Sequence, residues 1–277
     1  MELRLWRETL LPYDQAVREL LLKFEYLQME YREAGKYCPI LQVSGRVKSI
    51  SSILAKCRKK SIDLDDLEEK IFDIAGIRII CQFVEDIELV RAMIDARQDM
   101  SIVSERDYVT KIKESGYRSY HLIIRYCVNT MQGSKEIFAE VQIRTLGMNF
   151  WSTIEHSIQY KYSDGVPEHV RKKLVKAAQA IVVLDSQMSS VRREIMDAQV
   201  SLQIESGIIS EILNTIENLY CHCNRREIDR IQEEFYQVYR ERDLEKLERF
   251  RTELDLLAQE CEAQDLKGEK GIHDYED

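Results

Sequence analysis

The chain has 277 residues, 44% hydrophobic and 32% charged, with ten glycines and three prolines. This is a soluble globular composition, which excludes collagen-like, disordered and Pro-rich linker classes, and no apolar run reaches the roughly 18–20 residues of a membrane span. The net charge of −9 is unevenly placed: residues 201–277 carry −10 and residues 1–200 carry +1.

The opening MELRLWRETLLPYDQ mixes charges into its apolar residues and holds no signal-peptide core, so a cytoplasmic location is expected. Ala16, Val17, Leu20, Leu21, Phe24, Leu27 and Tyr31 recur at helical spacing and predict a helix over 13–34, ended by Gly35 and Cys38-Pro39. Residues 44–60 carry six basic side chains and no acidic one. That patch fits a small polyanion such as a nucleotide better than duplex DNA, because it is short and the overall field is repulsive. Residues 49–60 read as a basic amphipathic helix and 63–70 as a short acidic one. The β-branched run 74–83 reads as a buried strand. A helix at 86–97 and a strand at 101–106 follow, then a glycine-containing loop to 118. Strands at 119–128 and 136–143 are joined by the turn Thr130-Met131-Gln132-Gly133-Ser134. Helices are expected at 145–160 and 168–200, and in the tail as a pair broken near Arg240–Asp243, where the apolar phase slips. Helices flanking a sheet make the body α/β or α+β.

Seven cysteines, an odd number, read as free thiols. The triplet Cys221-His222-Cys223 lacks the second ligand pair of a tetrahedral zinc site and reads as a helix-end turn.

Two carboxylates sit where an apolar strand makes them costly. Asp73 stands at the entry to strand 74–83, and Glu140 lies within Phe138-Ala139-Glu140-Val141-Gln142-Ile143. Acids there must face a site or bind a cation. A pair from different strands suits magnesium completed by substrate phosphates. Alternation puts Glu140 and Gln142 on one face, continued by Arg144. Arg46, Lys48, Lys56 and Lys59 are candidate phosphate ligands. Arg78 interrupts an apolar strand and must emerge on an open face, where it can stack on a purine or pair with phosphate. The stretch Lys111–His121 joins basic groups to Tyr117 and Tyr120, a combination suited to bases and phosphates.

Five segments occur in order: Ser44-Gly45-Arg46-Val47-Lys48, Asp73-Ile74-Ala75-Gly76-Ile77-Arg78, Gly116-Tyr117-Arg118-Ser119-Tyr120-His121, Glu140-Val141-Gln142-Ile143-Arg144-Thr145 and Trp151-Ser152-Thr153-Ile154-Glu155-His156. Together they resemble the synthetase domain of the RelA/SpoT superfamily, and the segment Met148-Asn149-Phe150-Trp151 resembles the small alarmone synthetases of the RelQ type. The resemblance spans about residues 5–200. It implies an α+β fold: a nucleotidyltransferase-like mixed sheet flanked by helices. The synthetase domain would then be 1–200; the all-helical acidic extension 201–277 is longer than the resemblance implies and reads as stabilising an oligomer, with binding a partner or shielding the assembly as the alternatives. The implied reaction is attack of the 3′-hydroxyl of GDP or GTP on the β-phosphorus of ATP, giving ppGpp or pppGpp and AMP. By the same resemblance Asp73 and Glu140 are catalytic and hold Mg2+. Arg46, Lys48, Ser52, Lys56, Lys59, Arg78 and Arg106 bind ATP, while Lys113, Tyr117, His121 and Gln142 bind GDP or GTP. Tyr117 is the residue implied to stack on guanine.

The resemblance also implies a homotetramer whose central cleft binds pppGpp through cations of the first helix. Here the matching stretch Leu20–Glu25 holds few cations, although Asn149 is retained. No alarmone hydrolysis is expected, because the body lacks the His-Asp pair of the long members and His273-Asp274 has no supporting histidines. The alternative function is a non-catalytic nucleotide- or RNA-binding regulator on the same fold. A toxin-like relative acting on tRNA ends or adenosine nucleotides is disfavoured by the Tyr117 loop.

Overall fold

The computed structural model describes residues 3–162, 166–220 and 224–270. The triplet at 221–223 and His273-Asp274 lie outside them. The chain divides into two compact units, Met1–Val191 and Arg192–Asp277.

The first unit is built on five strands: β1 (Gln42–Val47), β2 (Ala75–Cys81), β3 (Met100–Asp107), β4 (Tyr120–Thr130) and β5 (Gly133–Thr145). Their spatial order is β1-β2-β5-β4-β3. The pair β2–β5 is parallel and the other three are antiparallel, so the sheet is mixed as expected. Alternation sends Ala75, Ile77 and Ile79 of β2, Leu122 and Ile124 of β4, and Ala139, Val141 and Ile143 of β5 into the core. Helix α1 (Leu3–Glu33) covers that face with Tyr13, Ala16, Val17, Leu20 and Phe24, and α4 (Glu85–Asp95) adds Ile87, Val90 and Ile94. Each such buried side chain contributes about 1.5–3 kcal/mol.

The opposite face carries the polar residues. The register aligns Ser44, Arg78, Gln142, His121 and Arg106 in one row across all five strands. Arg46, Gly76 and Glu140 form the next row. Helix α2 (Ile50–Lys60) starts from the N-cap Ser49 just past the end of β1, and the short α3 (Leu67–Lys70) precedes β2. Helix α5 (Leu146–Lys161) begins directly at the end of β5, with Thr145 as its N-cap.

Three elements differ from the sequence expectation. The first is β1, which the sequence shows only as basic patch. Only Val43 and Val47 turn, half-buried, towards the core, and the glycine between them lies against Val17 of α1, while Gln42, Ser44 and Arg46 on the other face stay exposed. Helix α1 begins ten residues early and runs through Pro12, with Trp6 anchored in the core beyond it. Helix α6 (Glu168–Leu219) continues well past residue 200.

The second unit holds the end of α6, α7 (Arg225–Glu241) and α8 (Leu244–Lys270). Ile208, Ile212, Ile216, Leu219, Ile228, Phe235, Leu247 and Leu254 form its core. The expected break near 240–243 is present: Arg242 is left-handed at φ 52°, and Asp243 caps α8 through the Glu245 N–H at 3.0 Å.

Two glycines answer different demands. Gly133, at φ +113°, closes the two-residue turn Met131-Gln132 between paired Thr130 and Gly133, with open space where a Cβ would stand. Gly116 combines φ +89° with a packed neighbour, because a Cβ there would sit 2.5 Å from the Ala178 Cβ. Gly116→Ala should therefore cost about 2–4 kcal/mol, and Gly133→Ala about 1 kcal/mol. Urea unfolding of both variants checks this, and equal losses would contradict the packing argument.

Candidate active site

Asp73 stands just before β2 and faces two cations. Lys48, held by its backbone N–H to Ile74 O at 2.8 Å, places Nζ 2.7 Å from Asp73 Oδ2. Lys56 of α2 places Nζ 2.7 Å from Oδ1. Burial pushes the Asp73 carboxyl up, but the two lysines outweigh it and hold the group below its ordinary range. Ser52, Lys56 and Lys59 lie at i, i+4 and i+7 on one face of α2, while Ile53 and Cys57 turn inward to the core.

A cavity of about 330 Å³ opens beside Asp73. Arg46, Lys48, Asp73, Arg78, Glu140 and Gln142 line it, with Ser44, Gly45, Gly76 and Ile77 as its floor and wall. Arg78 is crowded there. Burial lowers its pKa, and the charges of Arg144 and Arg46 lower it further. Its Nε is buried with no hydrogen-bond partner among the described residues. A guanidinium in that position is short of an anion or an aromatic face.

Glu140 belongs to a closed ring of hydrogen bonds. Its Oε1 lies 2.9 Å from His121 Nδ1, and its Oε2 accepts from Gln142 Nε2 at 2.8 Å. Gln142 Oε1 accepts from Arg144 at 2.7 Å, and the same guanidinium nitrogen donates to the Tyr117 hydroxyl at 2.7 Å. Tyr117 closes the ring on His121 Nε2 at 2.8 Å. Burial pushes the Glu140 carboxyl up, but the His121 and Gln142 bonds hold it below its ordinary range, against a raising contribution from Asp73. An ionised Glu140 accepts from both sides. One set of directions then satisfies every member: Nδ1–H donates to Glu140, and the Tyr117 hydroxyl donates to Nε2 while accepting from Arg144.

Beside this ring lies an aromatic cluster. Tyr108, Tyr117 and His121 meet edge to face, with centroids 5.3–6.1 Å apart, and Trp151 stands 6.5 Å from Tyr117. Lys113 Nζ hangs 4.2 Å over the Tyr108 ring and 4.8 Å over the Tyr117 ring. Glu155 of α5 is near enough for Lys113 and Arg144 to act on it, yet burial dominates and raises its carboxyl pKa.

The structure thus gathers Asp73, Glu140, Arg46, Lys48, Lys56, Arg78, Gln142, His121, Tyr117 and Lys113 into one continuous site. Arg106 is exposed on edge strand β3 opposite His121, and Ser52 and Lys59 are exposed on α2 outside the cavity wall. Sequence reasoning missed two residues. Arg144 appeared only as the continuation of a polar face, yet it is 4% exposed and bonds Tyr117, Gln142 and Ser119. Tyr108 gave no signal at all, since only the fold brings it to Tyr117 and His121.

The donor set suits a hard cation that takes its remaining ligands from elsewhere. Two ionised carboxylates share the cavity, and among the described residues no group of three His, Cys, Asp or Glu can hold a metal alone. Magnesium binds in this way, through one or two carboxylates plus substrate phosphates.

A family model described as a region found in RelA/SpoT proteins matches residues 45–165. The GTP pyrophosphokinase YjbM of Bacillus subtilis is 49% identical over 199 residues, which is 72% of this chain and 94% of that protein. The GTP pyrophosphokinase YwaC of the same organism is 38% identical over 192 residues, 69% of this chain and 91% of that protein. The solved structure of small alarmone synthetase 1 from Bacillus subtilis bound to its product pppGpp superposes with a TM-score of 0.67 at 49% identity. It covers 69% of this chain and 98% of that one. The chain belongs to the RelA/SpoT family.

The lysine pairs give Asp73 a pH signature. Its folded pKa is depressed, so its stabilisation is fully present above about pH 4 and is lost as pH falls through the lower folded value. Asp73→Asn should destabilise the first unit at pH 7, and the gap to wild type should narrow as the pH falls below about 4. Urea titrations at neutral pH and in acid decide it; a gap that widens with acid would contradict the ion-pair account.

Proposed function

We propose that this chain is a magnesium-dependent GTP pyrophosphokinase that moves a pyrophosphoryl group from ATP to the 3′-hydroxyl of GDP or GTP, releasing AMP. The observation that carries the reading is a single site in which two ionised carboxylates, a row of cations and an aromatic cluster meet. Such a transfer needs positioning and charge neutralisation more than covalent chemistry.

ATP takes the cation-rich end. Lys48 and Lys56 exchange Asp73 for the triphosphate, with Lys59 and Ser52 of α2 flanking it; Arg106, which the resemblance also assigns to ATP, stands instead beside His121 on the far edge strand. Arg46 and Arg78 hold the adenine, and the unpartnered Arg78 Nε supports that assignment. The acceptor takes the aromatic end: guanine stacks on Tyr117, and Lys113, His121 and Gln142 fix the nucleotide. Asp73 and Glu140 would hold magnesium, which would neutralise charge on the transferring phosphates.

Glu140 is held below its ordinary range, which makes it a weak base and a good ligand and acceptor. It orients the 3′-hydroxyl. It receives the proton as the O3′–P bond forms, the hydroxyl grows acidic, and the bond from the β-phosphorus to the AMP oxygen breaks.

The reading includes a homotetramer in the cytoplasm. Exposed apolar side chains on α1 (Leu22, Tyr26, Met29) and α5 (Leu146, Phe150, Ile154) support an assembly. Activation by pppGpp in a central cleft, which the resemblance implies, would draw on Lys23, the lysine of the Leu20–Glu25 stretch, which is paired with Asp99 here.

Incubation with magnesium, ATP and GDP or GTP, resolved by anion exchange, should give equal amounts of AMP and a more anionic guanosine product. Asp73→Gly and Glu140→Gln should each lower turnover by about 10²-fold or more while nucleotide binding persists. Nucleotide binding without AMP in the wild-type protein would favour the regulator reading instead.

A further inference from the structure

The second unit carries a groove that its own core does not fill. The cavity measures about 680 Å³ and lies between α7 and α8, at the end away from their Arg242-Asp243 connection. Phe250, Leu254, Leu257 and Cys261 run along α8 at i, i+4, i+7 and i+11, and Ile231 faces them from α7. The stripe is about 16 Å long at 1.5 Å per residue, close to three helical turns. Leu257 is 38% exposed within it.

Glutamates stand along both walls at heptad spacing. Glu227 and Glu234 line the α7 side, and Glu253 and Glu260 the α8 side. Arg230 answers Glu234 with a 3.3 Å ion pair. Among the described residues, Glu227, Glu253 and Glu260 have no ion-pair partner. An apolar seam bordered by like charges seven residues apart is the arrangement that selects a helix of opposite charge in coiled-coil pairing. The family region ends at residue 165, so nothing in the synthetase reading uses this surface.

We infer that the α7–α8 groove is a docking site for a cationic amphipathic helix of a partner protein, with Leu-type anchors at i, i+4 and i+7 and Lys or Arg on both flanks. A second copy of this chain is a poor occupant. Its α7 and α8 would bring glutamate walls against glutamate walls, inside a segment of net charge −10. The partner's cations would instead meet both walls, and its apolar stripe would cover Leu257 and the seam beneath it.

The test uses the full chain and a fluorescently labelled 18-residue synthetic helix, leucines on one face and lysines flanking them. A control peptide carries glutamates at the flanking positions. Anisotropy should show saturable binding of the lysine peptide that weakens as salt rises, and no binding of the glutamate peptide. Leu257→Asp should weaken the lysine peptide about ten-fold or more. Glu253→Lys with Glu260→Lys, both exposed positions that leave the core intact, should do the same and should now admit the glutamate peptide. No saturable binding, binding unchanged in these variants, or equal binding of both peptides would overturn the inference. Concentration-dependent self-association of the wild-type chain that Leu257→Asp abolishes would assign the groove to a second copy, and would overturn it too. None of these outcomes depends on turnover at the synthetase site.

Discussion

Asp73 sits between two lysine ammonium groups, each 2.7 Å from one of its oxygens, and that arrangement decides what the first unit can be used for. A carboxylate and two amines partly withdrawn from water are costly unless they answer one another. The pairs settle the charges when no nucleotide is bound, and they keep the lysines aimed into the cavity. They also make the resting site exchangeable. A polyphosphate presents more negative charge to Lys48 and Lys56 than Asp73 does, and a released Asp73 becomes an open hard-oxygen ligand. On the proposed reading, structural ion pair and substrate site are the same atoms in two states.

The ring on the neighbouring strands has a different character. Glu140, His121, Tyr117, Arg144 and Gln142 leave few free donors or acceptors among themselves, so none turns without disturbing the next. Arg144 is the member that water scarcely reaches, and Ser119 ties its third bond to the loop that presents Tyr117. That loop is fixed in turn by Gly116, which lets the chain lie against Ala178, and by Arg118, paired with Asp185 of α6. Asp185 also accepts from Thr145, the N-cap of α5. The ring and the aromatic cluster, the proposed acceptor end, are therefore set by the strand register and by contacts from the helix behind them. Its rigidity suits a reaction in which a 3′-hydroxyl must be aligned with a phosphorus atom.

Much of this was legible in the chain. Strand β2 announces itself by a β-branched apolar run and β5 by alternation, and the odd residues within them, Arg78, Glu140 and Gln142, are the ones that reach the cavity. An acid or arginine that breaks an apolar pattern costs too much to be incidental. What stayed hidden has physical reasons. Edge strand β1 offers the core only two half-buried valines, Val43 and Val47, with a glycine between them, so its residues look like a polar basic patch. Arg144 follows the polar alternation of β5, but its burial comes from the Tyr117 loop and from α6, which no local spacing reveals. Tyr108 reaches the pocket because β3 and β4 end side by side. Helix α6 outruns its expected end because its later turns supply Ile208, Ile212 and Ile216 to the second unit's core. The acidity of the tail was visible from the start; its heptad order along a groove required the helices to be placed.

The central claim is that the ring acts as one unit in holding the acceptor nucleotide. A double-mutant cycle on Arg144→Lys and Tyr117→Phe, read as kcat/KM for the guanosine acceptor at saturating ATP, tests it most directly. Lysine cannot reproduce the arginine fork that spans Tyr117 and Gln142, and phenylalanine keeps the ring face but removes the hydroxyl that both His121 and Arg144 use. The account predicts that the double variant loses about as much as the worse single variant, with the KM for ATP unchanged throughout. Losses that multiply, or a KM for ATP that rises in step, would contradict it.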